Sequence, residues 1–231
     1  MTSPNEVVFL FDVDNTLLDN DTAVNDYLTE IRRTVSPEAS QRYWEIFQDL
    51  AKETGYADYL GALQRYRLED MHDPKLLHVS SYLLDYKFAE RLFPDALKVI
   101  QYLSARGTVV ILTDGDVVFQ PRKILRAGLW DAVVGRVLVY IHKEQELHEV
   151  EQRFPAQHYV MVDDKLRILV AVKEQWRKRV TTVLIKQGHY ATDPNILAAY
   201  PPADLTIERI GDLLNYDLPA LLGAVKTDDA S

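Results

Sequence analysis

A short apolar segment that ends in acidic residues constrains the fold of this chain more than any other feature. Residues 7–11 are five consecutive apolar side chains, as in a buried strand, and the sequence Asp-Val-Asp-Asn-Thr follows at positions 12–16. In an open α/β sheet, ligands bind beyond the carboxyl ends of the strands. Asp12 and Asp14 would repel each other there unless a cation or a shared proton offset their charge. The alternative interpretation is a plain Asp/Asn turn.

Predicted strands and helices alternate along the rest of the chain. Apolar runs rich in β-branched residues occur at 109–112, 137–141, 158–162 and 180–185, with a shorter run at 203–207. Val133-Val134 also favours a strand, and Pro94-Asp95 favours the start of a helix that Gly107 ends. This alternation predicts an α/β fold with a doubly wound parallel sheet.

The segment 21–92 contains helical patterns and no convincing strand. Its apolar residues recur at helical spacing, and Ser36-Pro37 suits a helix start. We therefore expect two domains, an α/β core of residues 1–20 and 93–231 and an inserted α-helical cap domain of residues 21–92.

Composition excludes several classes of protein. Lys and Arg number 26 against 35 Asp and Glu, for a net charge of −9 without a basic run, so we expect no nucleic-acid partner. No apolar run approaches the roughly 20 residues that cross a bilayer, so we expect no membrane partner. Residues 1–6 lack the features of a signal peptide and there is no cysteine, which together favour the cytoplasm. Residues 226–231 are predicted to form a loose tail. No feature indicates an oligomeric state.

Three further predicted strands also end in polar residues. Thr113-Asp114-Gly115-Asp116 follows the run at 109–112, His142-Lys143 follows 137–141, and Asp163-Asp164-Lys165 follows 158–162. If all these strands are parallel, their carboxyl ends meet Asp12 and Asp14 at one edge of the sheet.

The converging residues carry more negative than positive charge. Asp12, Asp14, Asp163 and Asp164 provide up to four negative charges, whereas Lys143 provides one positive charge. A divalent cation would offset this excess. Oxygen ligands suit Mg²⁺, and the lack of cysteine and of a histidine pair at ligand spacing disfavours zinc.

These motifs resemble, in order, those of the haloacid dehalogenase superfamily of phosphatases. Residues 12–16 are similar to its DxDxT signature, and the resemblance extends through 93–107 and to Ala203-Asp204. The later family motifs correspond to Thr113, Lys143 and Asp163-Asp164. The resemblance implies a Rossmann-like core with a helical cap after the first strand. It also implies Mg²⁺-dependent hydrolysis of a small phosphorylated metabolite.

The resemblance further implies catalytic roles. Asp12 is expected to be the nucleophile that forms an aspartyl-phosphate, and Asp14 the general acid and then the base. Thr113 and Lys143 are expected to hold the phosphoryl oxygens, and Asp114-Gly115 to lie at the substrate.

The resemblance implies a metal site as well. Mg²⁺ is expected to bind the side chain of Asp12, the backbone carbonyl of Asp14, and Asp163, with Asp164 either a ligand or the partner of a metal-bound water. The fourth motif reads Asp-Asp where Gly-Asp is usual, which leaves open whether Asp163 or Asp164 is the closer ligand.

Other departures and polar residues leave alternatives open. Lys143 precedes Glu144 where the family commonly has proline, so Lys165 is an alternative phosphate-binding lysine. Asp114 and Asp116 either face solvent or contact a cationic or hydroxylated substrate. His142 borders the site and is a candidate for substrate contact. The remaining histidines are expected to have surface or packing roles: His72, His78, His148, His158 and His189.

Three other functions compete with phosphatase activity. A dehalogenase of the same fold does not need a second carboxylate acting as an acid, so Asp14 favours a phosphate ester. A phosphomutase would use the same Asp12 and Asp14 and differ in its phosphoryl acceptor. A non-catalytic binding protein would have no need for so costly a cluster of charges.

Overall fold

A six-stranded sheet forms the centre of the structure, a computed structural model that describes residues 5–69, 71 and 73–223. The strands are β1 (Asn5–Phe11), β2 (Thr108–Asp114), β3 (Val137–Tyr140), β4 (Ala156–Asp163), β5 (Val180–Ile185) and β6 (Leu205–Ile207). Their order is β3-β2-β1-β4-β5-β6, and every neighbouring pair is parallel. The doubly wound parallel α/β sheet predicted from the sequence is therefore confirmed.

Helices connect the strands in the described part of the chain. They are α1 (Asn20–Thr34), α2 (Pro37–Thr54), α3 (Tyr59–Arg67), α4 (Lys75–Leu84), α5 (Ala96–Ser104), α6 (Phe119–Arg126), α7 (Leu129–Ala132), α8 (Leu147–Arg153), α9 (Leu166–Trp176), α10 (Pro194–Ala198) and α11 (Leu218–Gly223). Short 3₁₀ turns occupy Phe88–Arg91, Lys143–Gln145, Arg177–Arg179 and Ile210–Asn215.

Side chains of β1 alternate between two buried faces of the sheet. Val7, Phe9 and Phe11 pack in one apolar core with α5, whereas Val8 and Leu10 pack in a second core with α8 and α9. Burial on both faces explains why β1 is a continuous apolar run. Parallel pairing with β2 and β4 places the polar residues that follow β1 at the edge formed by the carboxyl ends of these strands.

Helices α1–α4 all lie between β1 and β2, in a segment (20–91) that we term the helical insertion. The described residues of this segment form no strand. Its two connections run side by side, because the Asp19 backbone N donates to the Arg91 carbonyl oxygen at 2.8 Å and the Phe93 backbone N donates to that of Leu17 at 3.0 Å. The helical insertion therefore begins and ends beside the carboxyl end of β1.

Two local sequence predictions are wrong. Val133-Val134 forms a turn rather than a strand, and Val134 adopts a positive φ of 54°. Gly107 is not a left-handed helix end, since α5 ends at Ser104. It instead lies against β1, where an added Cβ atom would come within 2.5 Å of the Val7 carbonyl oxygen. Close approach of the chain to β1 requires glycine at position 107.

Some sequence predictions fall on residues outside the described ranges. They concern His72, the tail at 226–231, and residues 1–4 of the N-terminal segment. Within the described ranges, no helix combines the length and the apolar character needed to cross a membrane.

Candidate active site at the carboxyl edge of the sheet

Asp12 lies at the centre of the edge formed by the ends of β1, β2 and β4. Its backbone N donates to the Val162 carbonyl oxygen at 3.0 Å, which continues the pairing of β1 with β4 beyond Phe11. The Thr113 hydroxyl at the end of β2 donates to Asp12 Oδ1 at 3.2 Å. Both side chains are buried. The predicted convergence of these strand ends is thus observed.

Lys143 places an ammonium between two of the predicted carboxylates. Its Nζ lies 2.6 Å from Asp12 Oδ1 and 2.6 Å from Asp163 Oδ2, and the side chain is fully buried. Burial acts to lower the pKa of Lys143, but the charges of Asp12 and Asp163 outweigh it and raise that pKa. Lys143 is therefore a cation that contacts the expected nucleophile directly.

Asp12, Asp163 and Asp164 form a buried carboxylate cluster. One oxygen of each lies within 4.8 Å of those of the other two. Asp12 Oδ2 and both carboxylate oxygens of Asp164 have no hydrogen-bond partner among the described residues. Burial raises the pKa of Asp163, against the opposing charge of Lys143, and burial together with the Asp163 charge raises that of Asp164. Unpartnered buried oxygens of this kind fit a hard divalent cation.

Asp14 points away from this cluster and pairs with a lysine that the sequence analysis missed. Lys123 Nζ lies 2.8 Å and 2.9 Å from the two carboxylate oxygens of Asp14. Gln120, also missed, donates to the Thr113 hydroxyl at 3.1 Å and lies 3.5 Å from Asp14 Oδ2. Both residues are buried on α6. The available signal was a lysine four residues after Phe119, at an apolar position of a helical pattern.

A cavity of about 560 Å³ opens at the same edge of the sheet. Its walls include Asp14, Asp114, His142 and Lys165 from the core and Tyr56 from the helical insertion. Lys165 forms no ion pair with the described residues, and its Nζ lies 5.3 Å from the centroid of the Tyr190 ring. Burial acts to lower the pKa of Lys165, but the charges of nearby carboxylates, that of Asp12 foremost, outweigh it and raise that pKa. Lys165 therefore faces the cavity as a cation, whereas Lys143 is enclosed by carboxylates.

Asp114, the last residue of β2, and Asp116, in the loop that follows, both accept hydrogen bonds from backbone N–H groups, and contact of either with a substrate stays a prediction. Asp114 is half-buried and lines the cavity, and its Oδ1 accepts a hydrogen bond from the Lys143 backbone N at 2.8 Å. Burial raises the pKa of Asp114, against the opposing charge of Lys143. Asp116 Oδ1 accepts from the backbone N of Val118 at 2.9 Å and of residue 119 at 2.7 Å, which caps the start of α6.

Gly115 allows this loop to lie close to α6. Its φ is +153°, and an added Cβ atom would come within 2.8 Å of the Gln120 Cβ atom. A side chain at position 115 would therefore displace Gln120 from Thr113. The role predicted for Gly115, at the substrate, stays a prediction.

None of the described histidines belongs to the carboxylate cluster, and two of them contact other acidic residues. His78 Nε2 lies 2.9 Å from Glu30 Oε1, and His189 Nδ1 lies 2.8 Å from Asp21 Oδ1. Both histidine side chains are more than half exposed. Their acidic partners are distant in sequence, so the spacing along the chain gave no indication of these contacts.

Comparisons with known proteins agree with this arrangement. The sequence model of the haloacid dehalogenase-like hydrolase family matches residues 7–174, which include the carboxylate cluster and the ends of β1 to β4. A structure from Burkholderia xenovorans LB400, whose description assigns it to the haloacid dehalogenase-like hydrolases, is 60% identical in sequence. It has a TM-score of 0.89, and the match covers 93% of this chain and 100% of that chain. The comparison with curated proteins found no match.

More distant structures share the fold. The L-2-haloacid dehalogenase from Xanthobacter autotrophicus is 16% identical, with a TM-score of 0.59 over 90% of this chain and 96% of that chain. The HAD-hydrolase YfnB from Bacillus subtilis, solved with bound magnesium, is 18% identical, with a TM-score of 0.60 over 91% and 97%. The family match and the 60% identical structure together establish the family: this chain belongs to the haloacid dehalogenase-like hydrolases and is a hydrolytic enzyme.

Proposed function

We propose that this hydrolase cleaves small phosphomonoesters with Mg²⁺ and forms an aspartyl-phosphate on Asp12. The observation that carries the proposal is a separate carboxylate, Asp14, that lines the cavity two residues after Asp12. The alkoxide that leaves a phosphate ester needs a proton, which a carboxylic acid at this place can supply. A halide leaves without a proton, so a dehalogenation reaction would not need Asp14 as a general acid.

The carboxylate cluster supports the metal requirement. The side chains of Asp12 and Asp163, the backbone carbonyl of Asp14 and, directly or through water, Asp164 would hold Mg²⁺. When bound, the ion offsets the charge of the carboxylates and of the phosphoryl oxygens. Bound magnesium in YfnB is a property of that protein; here the unpartnered oxygens of Asp12 and Asp164 support a cation.

The residues divide the chemistry between two steps. Asp12 attacks phosphorus through a carboxylate oxygen; the ester P–O bond breaks with its electron pair on the leaving oxygen, to which Asp14 gives a proton. Asp14 then takes a proton from the water that attacks phosphorus, and the bond from phosphorus to Asp12 breaks to release phosphate. Thr113 and Lys143 offset charge on the phosphoryl oxygens.

The cavity supports a small substrate. Its volume of about 560 Å³ falls in the usual range for sites that bind small molecules, roughly 300–1,000 Å³. Residues 55–57 of the helical insertion form part of its wall. We therefore propose that residues 21–92 act as a cap on a core of residues 1–20 and 93–231, which would exclude water and bulky substrates.

A substrate screen tests the proposal. Purified protein is incubated with a panel of phosphorylated metabolites, with Mg²⁺ or with EDTA, and phosphate release is measured. We expect release from at least one metabolite with Mg²⁺ alone. A parallel assay measures halide release from 2-haloacids, and halide without phosphate would replace the proposal with a dehalogenase. Conversion of a metabolite into its positional phosphate isomer, without release of phosphate, would identify a phosphomutase.

A further inference from the structure

A buried lysine outside the family-like motifs contacts both carboxylate oxygens of Asp14. Lys123 Nζ lies 2.8 Å and 2.9 Å from the two carboxylate oxygens of Asp14, and 3.0 Å from the amide oxygen of Asn20. Its side chain is 1% exposed, whereas that of Asp14 is 24% exposed. One side of the Asp14 carboxylate therefore faces the ammonium and the other faces the cavity.

Aromatic rings enclose the remaining directions around the ammonium. The ring centroids of Phe119, Tyr59 and Phe88 lie 5.5, 5.8 and 5.9 Å from Lys123 Nζ. An ammonium in such surroundings is costly to bury unless charged or polar partners contact it. Among the described residues, Asp14 and Asn20 are its hydrogen-bond acceptors. This cost opposes any rotation of the Asp14 side chain away from Lys123.

The contacts of Lys123 come from both parts of the chain. Lys123 lies on α6 of the core, whereas Asn20 is the first residue of α1 and Tyr59 the first residue of α3. The site that holds Asp14 is thus completed by the helical insertion.

We propose that Lys123 is a positioning residue for Asp14, a role that rests on the proposed function of Asp14 as general acid and base. Lys123 holds the Asp14 carboxyl group at the cavity wall, where its proton passes to the leaving oxygen as the P–O bond of the ester breaks. Lys123 keeps its own protons throughout and does not contact the substrate.

The dependence of rate on the leaving group tests this role. The ratio kcat/KM covers the steps up to departure of the leaving group, so the later action of Asp14 as a base does not enter it. p-Nitrophenolate leaves readily without a proton, whereas an alkoxide does not. We expect Lys123→Met to lower kcat/KM for an alkyl phosphate at least about 10-fold and for p-nitrophenyl phosphate less than about 3-fold, as partial loss of general acid catalysis requires.

Matched variants separate positioning from general damage. Lys173→Met removes another ion pair, to Asp204 at 2.7 Å, and should leave both ratios within about 2-fold. Lys123→Arg keeps the charge and should recover most of the activity on the alkyl phosphate. In an Asp14→Asn background, Lys123→Met should cause no further loss, because both substitutions remove the same interaction. Equal losses on both substrates, no loss on the alkyl phosphate, or additive losses would overturn the proposal.

Two measurements keep the proposal testable if activity or folding fails. Asn20→Ala removes one hydrogen-bond acceptor of Lys123 and leaves the charge of Lys123 in place. It should also lower kcat/KM more for the alkyl phosphate than for p-nitrophenyl phosphate, but by a smaller factor than Lys123→Met. If the wild-type protein releases phosphate from neither of these substrates nor from any metabolite of the panel, the proposed function fails, and crystal structures then decide the positioning role. An Asp14 carboxylate at the same place in wild type and Lys123→Met would show that Lys123 does not position it.

Discussion

Lys143 Nζ lies 2.6 Å from Asp12 Oδ1, although the two residues are 131 positions apart in the sequence. They follow β3 and β1, strands that flank β2 in the sheet. Lys143 also contacts Asp163, so a single ammonium serves two buried carboxylates. The carboxylate oxygens of Asp164 have no hydrogen-bond partner among the described residues, so a cation at this site would find ligands that the protein does not already use. Stability and metal binding should therefore be coupled at this edge.

Replacement of Lys143 should destabilise the protein far more than replacement of Lys165. Lys143→Met leaves Asp12 and Asp163 buried without their ammonium, and breaking such a buried pair costs about 3–5 kcal/mol. Lys165→Met is the matched control, because Lys165 forms no ion pair with the described residues. Urea unfolding in EDTA measures both free energies of unfolding. Similar losses of unfolding free energy in the two variants would contradict the role of Lys143 in stabilising the buried carboxylates.

Replacement of Asp164 should have opposite effects without and with Mg²⁺. In EDTA, Asp164→Asn removes a buried carboxyl group whose charged form is disfavoured by burial and by Asp163, and it should raise the free energy of unfolding. With Mg²⁺, the variant should gain less stability than the wild type, because binding to the native state is weaker. Thermal melts across a Mg²⁺ titration show both effects, and Asp163→Asn in the same titration ranks the two ligands. If Mg²⁺ stabilised the variant as much as the wild type, Asp164 would not be a ligand of the metal.

Replacement of the nucleophile should abolish turnover. Asp12→Asn should lower phosphate release at least about 10³-fold, because an amide does not form the aspartyl-phosphate. Acid quench followed by mass spectrometry should find a phosphorylated peptide containing position 12 in the wild type alone. The exposed Asp131→Asn serves as a control with wild-type activity. Phosphorylation of another residue would reassign the nucleophile.

The stability provided by Glu30 should disappear in acid. Glu30 accepts hydrogen bonds from Arg33 at 2.6 Å and Thr34 at 2.8 Å, and these contacts, Arg33 foremost, lower its pKa from 4.5 to about 2. A carboxyl group whose pKa is lower in the folded state stabilises the fold fully above its unfolded pKa, and this contribution is lost as pH falls through the folded pKa. Glu30→Gln should therefore be less stable than the wild type at pH 7.

Urea unfolding between pH 7 and pH 2 measures this difference. The gap in the free energy of unfolding between wild type and Glu30→Gln should shrink steadily from about pH 4.5 toward pH 2, as Glu30 takes up a proton. Asp131→Asn should show no such trend, because the Asp131 side chain is exposed and has no partner among the described residues. A gap that persists unchanged at pH 2 would show that the Glu30 charge is not its source.

The order of the elements was predictable because it depends on local patterns. A strand buried on both faces must be a continuous apolar run, and Val7–Phe11 has that form. The strand predicted at Val133-Val134 is absent because two β-branched residues are too short a pattern to form one. The turn between α7 and β3 decides their conformation. The prediction for Gly107 is wrong because this position needs glycine for its close approach to the Val7 carbonyl oxygen, which is 100 positions away in the sequence.

The sequence by itself determined which groups meet at the edge of the sheet. Parallel strands end at one edge, so polar residues that follow them, such as Asp12, Thr113 and Asp163, must converge. Only the tertiary structure decided how these groups pair. Lys123 reaches Asp14 because α6 packs against the helical insertion, and the direction in which a helix buries a lysine depends on neighbours that no local pattern specifies.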